Sequence, residues 1–349
     1  MRKLLACLLF LALMGACAAP ALAQEGTTVT LTFTGDCTLG ANASWYNADT
    51  SLISVVEKNG LDYPFANLRS FFENDDLTVI NLEGVLQDSA SGKKSARKYN
   101  FRGPTEYVGM LTGSSIEACS LGNNHIEDFG SRGVKSTEEA LTAANVGWFY
   151  NKDVFFFEKD GVKLAFLSYW MTDFNSHRKW LKSELPRLRQ EEGVDFIVLC
   201  LHDGREHQFK HTKAVEEKAR CAIDYGADLV IGNHPHVLQG LEEYNNRLIV
   251  YSLGNCVFGG SHEFRENSMQ TMLVRMSVQF GADGALESQQ ATLVPLRVSG
   301  EIPRNNYQPV VLGGAEAQAV IDLVQDDTAF ALPAYEEGVG AVLDAIAAK

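Results

Sequence analysis

The sequence has few long apolar runs, few cysteines and little positive charge. The apolar run from Leu4 to Ala16 is shorter than the roughly 20 residues that a membrane-spanning helix needs. The five cysteines after residue 23 are odd in number and lie mostly in apolar segments, so we predict small buried side chains rather than a disulfide framework. They are Cys37, Cys119, Cys200, Cys221 and Cys256. A metal site built only of thiolates is excluded, because the sequence has no paired cysteines to supply it.

The first 23 residues have the pattern of a secretory signal peptide. Arg2 and Lys3 precede the apolar run, and Ala21-Leu22-Ala23 is typical of a cleavage site. We therefore predict cleavage after Ala23 and an exported protein of the cell envelope or the extracellular space. Two alternatives stay open, namely lipidation at Cys17 and retention of the segment as a membrane helix. Only these alternatives would attach the protein to a membrane.

The charge of the chain opposes binding to nucleic acids. Removal of Arg2 and Lys3 with the leader leaves 28 basic and 44 acidic residues, a formal charge near −16. Such a charge repels the phosphate backbone, so nucleic acid is not an expected partner.

A cluster of five positive charges between residues 93 and 102 interrupts this acidic background. Its members are Lys93, Lys94, Arg97, Lys98 and Arg102. One interpretation is a solvated loop. The other is a site for a polyanion or phosphate, with Arg102 as the leading candidate because a guanidinium pairs with a carboxylate through two hydrogen bonds.

Strand-like apolar runs alternate with helix-like stretches along the chain, which predicts βαβ units and an α/β fold. The predicted strands begin near residues 28, 77, 116, 196 and 229, and the predicted helices cover 131–144 and 210–225. Hairpins are expected over 155–169 and 241–251, so we predict mixed sheets in a layered α/β sandwich.

Residues 28–260 are predicted to form the main domain, without internal repeats or low-complexity linkers. Residues 261–349 are predicted to pack onto it as strands over 271–278 and 291–298 and helices over 315–324 and 335–348. A separate small domain for this C-terminal part is the alternative.

Polar residues directly follow several predicted strands, where an α/β sheet collects its ligand-binding groups. They are Asp36, Glu83, Asn124, His202, His234 and His236. Imidazole, carboxylate and amide oxygen together suit Zn, Mn or Fe, and a carboxylate that bridges two ions about 4 Å apart would give a two-metal hydrolase. A lone strand-end histidine is more often a surface residue. The pair in His234-Pro235-His236 is a stronger signal, because residues i and i+2 of an extended segment point the same way.

Six motifs in order resemble the CapA family of poly-γ-glutamate capsule proteins, whose domain is similar to the calcineurin-like metallophosphoesterases. The motifs are Phe33 to Gly40, Asn81-Leu82-Glu83, Phe101 to Pro104, Leu121 to Gly130, Gly232 to Gln239 and Tyr251 to Asn255. The resemblance covers residues 28–260 and implies a metallophosphoesterase-like layered α/β sandwich.

The resemblance also implies roles for individual residues and one or two divalent ions per chain. Asp36 and His236 would hold the first ion, Glu83 would bridge, and the second ion would take Asn124, His202 and His234. His125 would be the general acid, which Asp128 orients, although Asp128 is equally suited to cap a helix. The implied substrate-binding residues are Arg102, Asn81, Glu206 and Asn255.

Two positions depart from the family pattern. Thr38 stands where ordinary phosphoesterases have a histidine two residues after the first aspartate, which leaves the first ion one imidazole short. In the segment from His202 to His207, Asp203 and His207 replace the tryptophan and tyrosine of the pattern His-Trp-Gly-x-Glu-Tyr. Asp203 and His207 are therefore candidates for an added ligand or an altered substrate choice.

Three functions stay open from the sequence. The first is a metal-dependent hydrolase or transferase that acts on an anionic envelope polymer, poly-γ-glutamate or a related material. The second is a non-catalytic component that binds this polymer, or capsule synthase and export partners. The third is a general periplasmic phosphoesterase. Thr38 favours the second function, and the retained histidines favour the first.

Overall fold

The computed structural model describes residues 26–264 and 268–348. The predicted signal peptide and Cys17 lie outside the described residues. The strands in chain order are β1 Thr27–Thr38, β2 Ala41–Asn42, β3 Leu77–Leu82, β4 Val85–Leu86, β5 Phe101–Gly103, β6 Ala118–Ser120, β7 Gly147–Phe149, β8 Phe155–Lys159, β9 Val162–Trp170, β10 Phe196–His202, β11 Leu229–Asn233, β12 Leu241–Tyr244, β13 Arg247–Val250, β14 Asn255–Phe258, β15 Gln270–Phe280, β16 Leu286–Arg297, β17 Val310–Val311, β18 Ala341–Val342 and β19 Ile346–Ala347. The helices are α1 Leu52–Asn59, α2 Arg69–Phe72, α3 Val108–Thr112, α4 Gly130–Ala143, α5 Met171–Gln190, α6 Lys213–Tyr225 and α7 Gly314–Gln325.

Two mixed sheets form the centre of the fold. In the first, β1, β3, β6 and β7 run parallel, while β15 pairs antiparallel with the other side of β1 and continues to β16 and β17. In the second, β9, β10, β11 and β13 run parallel, and β8 and β12 are antiparallel edge strands. A small third sheet has the order β2-β5-β4.

The two large sheets pack face to face through a common apolar core. Leu31 and Val79 of the first sheet belong to the same buried cluster as Phe166, Val198 and Ile231 of the second. Apolar side chains on the outer faces of the sheets pack in two further buried clusters, one with α1 and α4 and the other with α5 and α6. The chain is therefore layered helix, sheet, sheet, helix, and the predicted layered α/β fold with mixed sheets is confirmed.

The parallel strands place the predicted polar residues at one edge of both sheets. β1 extends past Phe33 to Thr38, with an irregular register between Phe33 and Asp36 against β3, so Asp36 lies within the strand rather than after it. Glu83 follows β3, Asn124 follows β6, and His202 ends β10. Two separate sheets thus contribute to a single cluster of side chains.

The predicted secondary structure beyond residue 260 is correct in three of four elements. β15, β16 and α7 lie where two strands and a helix were predicted. The helix predicted over 335–348 is wrong, because the segment instead forms β18 and β19, which pair with β16. Gly338 and Gly340 adopt φ angles of 75° and 114°, which glycine tolerates and a helix does not use.

Four of the five cysteines are buried as predicted, and Cys221 is half-buried beside Arg178. Within residues 26–264 and 268–348, none of the helices combines the length and the apolar character needed to cross a bilayer. α5, which is 20 residues long, carries many polar side chains.

Candidate metal centre

Glu83 lies at the middle of the polar cluster and is fully buried. Neither of its carboxylate oxygens has a hydrogen-bond partner among the described residues. Its Oε1 is 3.6 Å from His125 Nε2, 3.8 Å from His236 Nε2 and 3.9 Å from His202 Nε2. An unpartnered buried carboxylate costs several kcal/mol unless a cation compensates it. The surroundings of Glu83 therefore fit a bound cation.

Asp36 and His236 form one side of the cluster. His236 Nδ1 is 3.1 Å from Asp36 Oδ2, and the other oxygen of Asp36 accepts a 2.7 Å hydrogen bond from Asn81 Nδ2. Asp36, Glu83 and His236 offer ligand atoms that all lie within 4.8 Å of one another, which makes them a candidate metal-binding group.

Asn124, His202 and His234 form the other side. His202 Nε2 is 2.8 Å from Asn124 Oδ1 and 3.2 Å from His234 Nδ1. Ligand atoms about 2.1 Å from one ion are roughly 3–3.5 Å apart, so this spacing suits a second position that shares Glu83. The six predicted ligands are thus brought together, and their individual roles stay predictions.

The histidines of the cluster have pKa values shifted in opposite directions. Burial, together with the neighbouring imidazoles, lowers the pKa of His202 well below its usual value, and burial lowers the pKa of His234 to about 4. Both are therefore neutral at pH 7, the form that binds a metal. Burial also acts on His236, but the Glu83 and Asp36 carboxylates outweigh it and raise its pKa to about 10. Burial raises the pKa of Glu83, with Asp36 adding to the effect. The side of the cluster with Asp36 and Glu83 therefore stabilises a positive charge, either on His236 or on a bound cation.

The segment His234-Pro235-His236 is a turn, and the extended geometry assumed from its sequence is wrong. His234 and His236 have φ angles of 103° and 57°, which few residues with a side chain adopt. Their rings still lie 6.0 Å apart, and the backbone N–H of His234 donates to Asp36 Oδ2 at 3.2 Å. Backbone strain of this kind is typical of functional sites.

Asp128 orients His125 and does not cap a helix. Its Oδ2 is 2.7 Å from His125 Nδ1 and accepts a 2.7 Å bond from the backbone N–H of Phe101, while its Oδ1 accepts from Arg97 at 2.7 Å. The N-cap of α4 is Phe129, so the capping interpretation of Asp128 is wrong. Because a carboxylate only accepts, the Nδ1 of His125 carries the hydrogen and its Nε2 faces Glu83.

A cavity of about 390 Å³ opens beside the cluster. His125, His236 and Asn255 line its inner end. Aromatic rings form much of the remaining wall, and Glu206, His207 and Glu263 also line it. The aromatic lining residues are Trp45, Tyr99, Phe101, Phe258 and Phe264. The cavity therefore reaches His125 and His236 of the polar cluster.

The four predicted substrate-binding residues lie in different surroundings. Asn255 lines the cavity and its Oδ1 is 2.9 Å from His236 Nδ1, and Glu206 also lines the cavity. Asn81 is buried behind the cluster, where it bonds to Asp36 and contacts His202. Arg102 bonds to the backbone carbonyls of Gln87 and Asp88 and stacks on Tyr46, away from the cavity lining. Substrate binding by these residues stays a prediction.

Asp203 is paired with Lys218 of α6. Lys218 Nζ bonds to Asp203 Oδ2, and the other oxygen of Asp203 accepts from the backbone N–H of Gly204 at 2.7 Å. The side chain of Asp203 is 4% exposed and that of Lys218 is 11% exposed, so the two form a nearly buried ion pair. This pair explains the burial of the Asp203 carboxylate, and a role of Asp203 in ligand binding or substrate choice stays a prediction.

Replacing Asp203 by alanine is expected to lower the free energy of unfolding by about 3–5 kcal/mol, the range for removing one partner of a buried ion pair. The reason is that Lys218 would keep its charge in a nearly buried position without a partner. Urea denaturation at pH 7 measures the change, and the double variant Asp203→Ala, Lys218→Met should recover most of the loss. A double variant as unstable as the single one would contradict the ion-pair explanation.

Sequence reasoning missed three residues that support the centre. Arg97 donates hydrogen bonds to the Asp128 carboxylate and to the backbone carbonyl of Asn124. The side-chain oxygen of Asn123 accepts from the backbone N–H of His125 at 3.0 Å. The ring of Phe101 packs on His125, with centroids 4.2 Å apart. Arg97 was visible only as a member of the basic cluster, since nothing local in the sequence links it to Asp128.

Comparison with solved structures finds a sulfate thiohydrolase, SoxB, from Thermus thermophilus. The two are 12% identical with a TM-score of 0.45, and the match covers 88% of this chain and 61% of SoxB. This distant likeness is too weak to bear on the reaction.

Two curated proteins of bacilli are similar in sequence. The capsule biosynthesis protein CapA of Bacillus anthracis is 27% identical over 266 residues, which are 69% of this chain and 62% of that protein. The PGA biosynthesis protein CapA of Bacillus subtilis is 28% identical over 225 residues, 58% of this chain and 59% of that protein. The matches thus span about three fifths of the length of these relatives.

The family described as bacterial capsule synthesis protein PGA_cap matches residues 30–260. This range contains the six motifs and each residue of the candidate metal centre. The chain therefore belongs to the CapA-type family of bacterial capsule synthesis proteins.

Proposed function

We propose that this protein is a metal-dependent hydrolase that acts on an anionic envelope polymer, poly-γ-glutamate or a related material, outside the cytoplasm. Membership of the capsule synthesis family supports the substrate class. The observation that carries the hydrolase proposal is the buried, unpartnered carboxylate of Glu83, with three imidazole nitrogens within 3.6–3.9 Å of it.

One or two divalent ions, Mn, Fe or Zn, fit this centre. Asp36 and His236 would hold one ion, Asn124, His202 and His234 the other, and Glu83 would lie between them. When bound, such an ion activates water at neutral pH and polarises the bond to be cleaved.

In its doubly protonated form, His125 is the residue best placed to deliver the proton on Nε2 to the leaving group. Its Nε2 faces the centre, and it lines the cavity where the leaving group would lie. Asp128 fixes the ring orientation, and the bond from Arg97 keeps that carboxylate in place. The stacked ring of Phe101 further limits the motion of the imidazole. These contacts fit a general acid, which works only when it is held in a defined orientation.

A non-catalytic role in polymer binding or assembly, with capsule synthase or export components as partners, is the second candidate. Thr38 favours it, because the first ion position has a hydroxyl in place of an imidazole. A general phosphoesterase, the third candidate, would share the metal centre but would cleave small phosphoesters.

The test is incubation of the purified protein, loaded with Mn²⁺ or treated with chelator, with poly-γ-glutamate and in parallel with p-nitrophenyl phosphate. The proposal expects metal-dependent shortening of the polymer, followed by size-exclusion chromatography with light scattering. Release of nitrophenol with intact polymer would favour the phosphoesterase. Binding of the polymer without cleavage of either compound would favour the assembly role.

A further inference from the structure

The first ion position in this chain lacks the histidine that ordinary phosphoesterases have two residues after the first aspartate. Asp36, Glu83 and His236 form the group, and Thr38 occupies the place of a fourth residue. The Thr38 hydroxyl is buried and has no hydrogen-bond partner in the described part of the chain. This position therefore has three candidate protein ligands, and a fourth ligand from another element would hold an ion there more firmly.

A second group of ligand atoms meets the first at His236. Glu206, His234 and His236 offer atoms that all lie within 4.8 Å of one another. Glu206 lies in the loop between β10 and α6, on the cavity side of the cluster. Its exposed carboxylate faces the same cavity as His236, so no rearrangement of the core is needed to bring it to an ion there.

We propose that Glu206 is a metal ligand at the His236 end of the centre, where its carboxylate meets His234 and His236. This inference rests on the proposed metal centre. The unpartnered Glu83 carboxylate, fully buried and adjacent to His236, independently points to a cation at this position.

The additional ligand has a chemical consequence. Glu206 would add an oxygen ligand beside His236, which also belongs to the group of Asp36 and Glu83, so this end of the centre becomes richer in carboxylates. Carboxylate-rich sites suit harder divalent cations such as Mn²⁺. Three negative charges also balance two divalent ions better than two do. The cation class that this position would take is therefore a hard divalent ion.

The test compares Glu206→Gln with Glu263→Gln, which removes the same charge from another exposed residue of the same cavity. The probe is Mn²⁺ alone, titrated by calorimetry and counted by electron paramagnetic resonance. We expect Glu206→Gln to weaken the binding of one Mn²⁺ by at least about tenfold and to leave the other ion in place, since loss of supporting groups alone costs 10–100-fold. Glu263→Gln should bind Mn²⁺ as the unaltered protein does.

The outcomes separate this inference from the proposed function. If the unaltered protein and Glu206→Gln bind Mn²⁺ with equal affinity and stoichiometry, Glu206 is not a ligand although the metal centre stands. An equal loss in both variants would show an effect of cavity charge and would also overturn the assignment. If the unaltered protein binds no Mn²⁺, the metal centre and this inference fail together.

Discussion

The double variant His234→Ala, His236→Ala is expected to contain no stoichiometric metal. These residues serve opposite sides of the cluster, because His234 approaches His202 and His236 approaches Asp36. Removal of both imidazoles leaves each position short of a nitrogen ligand, so neither should hold an ion through purification. Inductively coupled plasma mass spectrometry after reconstitution with Mn, Fe or Zn measures the content per chain.

The matched control removes two histidines outside the cluster, His177 and His211. His177 contacts the backbone carbonyl of Asp173, and His211 pairs with Asp327. The control should retain the metal content of the unaltered protein, with circular dichroism to verify that both variants fold. If the unaltered protein itself holds no metal after reconstitution, the hydrolase proposal is wrong and a binding or assembly role is left.

Replacing His125 by glutamine should lower turnover by about 10²–10⁴-fold while metal binding persists. Glutamine approximates the size of the imidazole and can bond to Asp128, but it cannot deliver a proton at neutral pH. The measurement is kcat on whichever substrate the cleavage assay identifies, together with the metal content of the same sample. His177→Gln, on α5, is the matched control and should keep full turnover.

A split between the two measurements identifies the role of His125. Loss of turnover with retained metal supports proton transfer. Loss of metal together with turnover would show that His125 is needed to build the centre, and its assignment as general acid would then be wrong.

The sequence was sufficient to predict which residues meet, because parallel strands align their carboxyl ends. Asp36 and Glu83 each come at the end of a buried apolar run, so their proximity follows from the pattern of strands. His202 ends a run of the same kind but lies in the second sheet, so its proximity also requires the packing of the two sheets. The two hairpins were predictable for a similar local reason, since Asp160-Gly161 and Asn245-Asn246 adopt the positive φ angles of tight turns.

Contacts between distant segments were not predictable in this way. Nothing near Asp203 in the sequence shows that it forms an ion pair with Lys218, which lies 15 residues later in α6. Arg97 reaches Asp128 across 31 residues. The segment after residue 335 is rich in alanine, which favours helix, but the unpaired side of β16 and two glycines with positive φ override that local preference.

The pairing of β15 with β1 joins the family-matched range to the residues that follow it. Seven residues of β1, from Thr27 to Phe33, pair with β15, which lies beyond residue 260. A chain cut at that boundary would present the strand that leads to Asp36 as a bare sheet edge, and such edges recruit other chains into aggregates. The residues beyond 260 thus protect the strand on which the first of the six motifs begins.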